Sequence, residues 1–134
     1  MATKVYIATP VNGRKEAVTL TEKRKAAYQR VQEIKGALEK LMPNAEFHSS
    51  FDGDIAPLNV ELTKKMFGYE LPSEAVIMGK CVQRVMECDM VVLDLGWEKS
   101  KGCRVEHQTA VLYEKEVYVI ERNALNVRLV KVPF

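Results

Sequence analysis

A chain of 134 residues suffices for one domain with a single core and is too short for two. Its 47% hydrophobic and 28% charged residues are ordinary for a soluble globular protein, and a net charge of +2 is too small to point to nucleic acid or an anionic membrane as partner. No apolar run approaches the ~20 residues of a membrane span, and the amino terminus leads into a strand rather than a secretory signal. Cys81, Cys88 and Cys103 lack disulfide-framework spacing and read as reduced thiols, so the expected compartment is the cytoplasm.

Residues 4–9, KVYIAT, are β-branched and aromatic and close at Pro10 and Asn12-Gly13, which predicts a first strand with a loop at its carboxyl end. Thr19 and Glu22 form a capping box, and Ala27, Val31, Ile34, Leu38 and Leu41 follow at helical spacing until Pro43. Residues 45–48 suit a short strand, 49–57 with Asp52-Gly53-Asp54 an exposed loop, and 59–67 a short helix. Pro72 suits the first position of a further helix with Ala75, Met78, Val82, Val85 and Met86 as its buried stripe. Residues 90–95 form an apolar strand with Asp94 at its exit, followed by a loop holding Gly96 and Trp97 and a helix that starts at Ser100-Lys101-Gly102. A fourth strand over 116–120 and an edge strand over 126–132 complete the chain. Alternating strands and helices predict one α/β domain over residues 1–134, doubly wound on a mainly parallel sheet of four to five strands.

A strand without polar alternation is covered on both faces, as in parallel sheets, and in such sheets ligands bind outside the carboxyl ends of the strands. Asp94, Trp97, Ser100 and Glu106 are expected to converge there. Glu106 sits early in its helix, where the partial positive charge of the amino end favours a carboxylate. Such a group can act as a nucleophile at a glycosidic carbon, or it can simply complement the helix dipole. Asp94 can accept from a sugar hydroxyl or a base, or cap the loop that follows it. Ser100, six residues before Glu106, suits a helix cap whose neighbouring backbone N–H groups could hold an anion. Trp97 could stack on a base or serve as packing. Tyr6 alternates within the first strand as a core tyrosine would, and Asp89, at the far end of the third strand, suits a turn.

Asp89 and Asp94 bracketing an apolar strand, then Ser100-x-Gly102-x-x-x-Glu106 and Ala110, resemble the signature of the nucleoside 2-deoxyribosyltransferase-like superfamily. The Gly-Trp-Glu-x-Ser loop is most similar to an uncharacterised branch of small stand-alone domains, and Val5-Tyr6-Ile7-Ala8 extends the resemblance to the first strand. The resemblance implies a Rossmann- or flavodoxin-like three-layer sandwich with Glu106 as nucleophile and Tyr6 orienting its carboxylate. The serine spacing is similar to that of 2-deoxynucleoside 5-monophosphate N-glycosidases, which implies a phosphate contact at Ser100. Asn12-Gly13-Arg14 resembles the phosphate loop of the same enzymes. They carry a further aspartate on the helix before the central strand, and the matching position here is close to Cys81. A thiol of ordinary pKa is a poor replacement for a carboxyl acid, and Asp52 or Asp54 could protonate the leaving base instead.

The expected function is therefore cleavage or transfer at the N-glycosidic bond of a 2-deoxynucleoside or its 5-monophosphate. The alternative is a catalytically inactive nucleotide-binding domain. Glu106, Tyr6 and Asp94 would carry the chemistry, with Asn12, Gly13, Arg14, Trp97, Ser100 and Gly102 around the substrate. The reaction requires no metal and no organic cofactor. By analogy with the relatives, which complete each pocket from a neighbouring subunit, a homodimer or larger homo-oligomer is expected. Dinucleotide and P-loop signatures are absent, Cys103 and His107 at i, i+4 spacing are a weak metal pair, and Asp52-Gly53-Asp54 is too short for a calcium loop.

Overall fold

The computed structural model describes residues 2–11, 20–55, 73–122 and 127–131. Five strands, β1 (Lys4–Ala8), β2 (Glu46–Ser49), β3 (Met90–Leu93), β4 (Glu116–Arg122) and β5 (Val127–Lys131), form one sheet in the order β2-β1-β3-β4-β5. All neighbouring pairs are parallel except β4 with β5, which run antiparallel at the sheet edge. Among the described residues, three helices, α1 (Leu20–Leu41), α2 (Ser73–Glu87) and α3 (Lys101–Leu112), complete a three-layer α/β domain. No helix among the described residues is long and apolar enough to cross a membrane. The predicted capping box at Thr19 and the short helix over 59–67 lie outside the described residues.

β1 and β3 are apolar at consecutive positions because both of their faces are covered. Val5, Ile7, Met90, Val92 and Ile120 pack against Val31, Ile34 and Leu38 of α1. On the other face Tyr6, Ala8, Val91, Leu93 and Val117 meet Cys81 and Val85 of α2 and Cys103 and Ala110 of α3. Ile55, from the stretch predicted to be an exposed loop, is fully buried in this second core.

Two predicted core positions are corrected. Leu41 is 53% exposed. The buried part of α1, from Ala27 to Leu38, is about 16 Å long, which matches a five-residue strand at ~16 Å. The next place on the stripe, four residues after Leu38, goes to Met42, which packs against this core, and Leu41 is turned away from it. In α2 the predicted Val85 is buried and Met78 packs against the same core, but the stripe also takes in Cys81 and, just past the helix, Cys88, while the predicted Met86 is exposed. Free cysteine behaves as a small core hydrophobe, and here two cysteines outrank the methionine.

Candidate active site at the carboxyl ends of β1 and β3

The strand order reverses at β1, which lies between β2 and β3, so the crevice of the fold opens at the carboxyl ends of β1 and β3. The Asp94 N–H donates to the Ala8 carbonyl at 2.9 Å and closes the β1–β3 pairing. The chain then turns sharply. The Trp97 N–H returns to the Asp94 carbonyl at 3.2 Å, and Gly96 takes a left-handed conformation at φ 86°. A single 3-10 turn over Trp97–Lys99 leads to Ser100, whose hydroxyl accepts from the Cys103 N–H at 3.3 Å and caps α3.

In the second turn of α3, Glu106 points into the core. It is 5% exposed and lies beside Tyr6 of β1, which has no exposed surface, and Cys81 of α2. Burial pushes the Glu106 carboxyl up to about 8, against a smaller downward pull from the Tyr6 phenol. Burial also raises Tyr6 well above its ordinary value, with Glu106 and then Cys81 adding to the effect. The Cys81 thiol is pushed up to about 12, first by burial and then by Glu106. The Tyr6 hydroxyl faces these two groups without closing a hydrogen bond of ordinary geometry. A buried polar atom left open beside a carboxyl of shifted acidity is characteristic of functional sites.

Asp94 occupies the other face of the sheet. The alternation that places Leu93 under α2 and α3 turns Asp94 toward α1, where Arg30 holds it. Arg30 Nε donates to both carboxylate oxygens at 3.1 and 3.0 Å, and its Nη2 donates to Oδ1 at 2.9 Å. Oδ1 also accepts from the Leu95 N–H at 2.8 Å. The contact with Asp94 raises the Arg30 pKa against the opposing effect of burial. Sequence reasoning missed Arg30 because basic residues on a helix usually face solvent. The only hint was its position three residues after Ala27, on the margin of the apolar stripe.

The other predicted residues take separate places. Trp97 packs on His107 with ring centroids 4.5 Å apart, and burial lowers the His107 pKa. Gly102 lies near α2, where a side chain would come within 3.7 Å of the Met78 sulfur. Asp89 accepts from the Lys4 N–H at 2.8 Å and ties the start of β1 to β3. Asn12, Gly13 and Arg14 lie outside the described residues. Cys103 is buried, and no group of three or more metal-ligating side chains occurs among the described residues.

Both candidate replacement acids are engaged in ion pairs. Asp52 accepts from the Ser49 N–H at 3.0 Å, pairs with His48 Nδ1 at 2.8 Å and is bridged by Arg84, which also holds Asp54. A separate cleft of about 160 Å³ lies between α1 and β2, lined by Tyr28, Lys35, Phe47 and Phe51, and does not reach Glu106.

Residues 60–119, less than half of the chain, match the model of a domain of unknown function, DUF4406. The matched stretch contains Cys81, Asp94, Ser100 and Glu106 and leaves out Tyr6 and Arg30. No curated protein matches the chain.

Proposed function

We propose that this protein cleaves or transfers at the N-glycosidic bond of a 2-deoxynucleoside or its 5-monophosphate, with Glu106 as the nucleophile. The observation that carries the reading is the buried Glu106 carboxyl facing the open Tyr6 hydroxyl. Ionised Glu106 attacks the anomeric carbon as the bond to the base nitrogen breaks, and the bonding electrons leave with the base. Water or a second base then displaces the carboxylate from the glycosyl ester. Tyr6 is placed to donate to the carboxylate once it is charged. The α3 amino end and the Ser100 cap favour an anionic substrate group nearby.

Protonation of the leaving base is the demanding step. With the Cys81 thiol held at about 12 and Asp52 and Asp54 engaged by Arg84, the described residues offer only weak acids. The same observation favours a second reading, a nucleotide-binding domain without turnover.

The test is prolonged incubation of the protein with a panel of 2-deoxynucleosides and 5-monophosphates, with and without an acceptor base, following free base by chromatography beside Glu106→Ala. Base release by the parent alone supports the enzyme. No release from any substrate, combined with saturable binding, would leave the second reading standing.

A further inference from the structure

The cleft between α1 and β2 takes no part in the site around Glu106. Three aromatic rings line it, Tyr28 of α1, Phe47 of β2 and Phe51 just after β2. Tyr28 and Phe51 meet edge to face, with ring centroids 5.6 Å apart and planes at 77°. The cleft holds about 160 Å³, close to the roughly 150 Å³ of a protein cavity that takes up one benzene molecule. A single planar ring fits both the volume and the walls.

Charge decides what that ring must carry. His48 and Asp52 also line the cleft, but both are engaged within the chain: His48 meets Asp52 and Glu46 at 2.8 and 2.7 Å, and Asp52 is held by the Ser49 N–H and by Arg84. On the α1 side the opposite holds. Gln32 and the half-buried Lys35 line the cleft one and two turns after Tyr28, and among the described residues neither makes an ion pair or hydrogen bond. We infer that the cleft binds a small aromatic carboxylate, with its ring among Tyr28, Phe47 and Phe51 and its carboxylate on Lys35 and Gln32. A carboxylate only accepts, and the ammonium and amide N–H groups are open to donate. A cationic ring would bring like charge to Lys35, and an anion without a ring would leave the aromatic walls uncovered. Ile7 and Val31 of this cleft belong to the core on the α1 face, whereas Glu106 lies with Tyr6 and Cys81 on the other. The site is therefore independent of the glycosidic chemistry.

The experiment is a titration of the full chain with benzoate, benzamide and acetate, followed through backbone amide NMR shifts and repeated on Lys35→Gln, Tyr28→Leu and Glu106→Ala. Benzoate should saturably shift the amides of residues 28–35 and 47–52, with benzamide binding more weakly and acetate more weakly still. Lys35→Gln should weaken benzoate about tenfold and leave benzamide unchanged, a split that general loss of structure would not produce. Tyr28→Leu should weaken both ring compounds about 3- to 10-fold. Tyr28 is 48% exposed and Lys35 only half-buried, so both variants should keep the thermal midpoint of the parent within a few degrees. Glu106→Ala should bind benzoate as the parent does, whatever becomes of base release. The inference is overturned if benzoate produces no saturable shift, if Lys35→Gln binds it as tightly as the parent, if acetate competes equally, or if Glu106→Ala abolishes the binding.

Discussion

At the scale of single residues, the acidity of Glu106 makes the most direct prediction. Its carboxyl titrates at about 8 in the folded chain, against about 4.3 in an unfolded one. Below the unfolded value both states are protonated and the carboxyl imposes no penalty. As pH rises toward 8 only the unfolded state ionises, and stability falls by on the order of 5 kcal/mol before levelling off. Glu106→Gln, which does not titrate, should therefore gain on the parent across this window, by little at pH 4 and by several kcal/mol at pH 8.5 in denaturant unfolding. A constant difference between the two proteins would contradict the assignment. The same titration gives base release a slope: the rate should fall about tenfold per pH unit below pH 8, because the nucleophile must be ionised. Cys81 carries a complementary prediction. Cys81→Asp restores a carboxyl acid beside Tyr6 and Glu106 and should raise base release about 10- to 100-fold in a chain that still folds. An unchanged rate would mean that the proton comes from elsewhere.

At the scale of elements, the turn that joins β3 to α3 depends on Gly96. A side chain there would meet nothing within 4 Å, so the only penalty is its left-handed backbone at φ 86°. Gly96→Ala is expected to destabilise by about 1–2 kcal/mol, read from thermal unfolding, and to slow any base release by misplacing the start of α3. The sequence made this turn legible, because glycine after an apolar strand and serine before a helix are local signals. It was less informative about α2. There the spacing fitted more than one stripe, and the sheet chose the face that brings Cys81 to Tyr6. The choice between Leu41 and Met42 was illegible for a related reason, since both stand at helical spacing after Leu38 and only the packed sheet decides which is covered.

At the scale of the whole molecule, the edge of the sheet is fastened by charge. Arg84 of α2 bridges Asp52 and Asp54, and His48 on β2 adds contacts to Asp52 and, at 2.7 Å, to Glu46. Arg84→Met should destabilise the chain by about 1–3 kcal/mol, because it leaves Asp52 half-buried with fewer partners, and denaturant unfolding would show it. An exposed ion pair would give almost no change. This network appears in the sequence only as scattered charges, since its members are up to 38 residues apart and meet through the β2–α2 crossover. The sequence by itself determined the α/β class, the order of the elements and the apolar central strand, because periodicity and turn chemistry are local properties of the chain. It also singled out Glu106 and Tyr6, through spacing and resemblance. Tertiary structure alone decided which groups share a face. The pleat sends Leu93 and Asp94 to opposite sides of the sheet, so Glu106 lies with Tyr6 and Cys81 while Asp94 lies with Arg30, a separation that no spacing along the chain encodes.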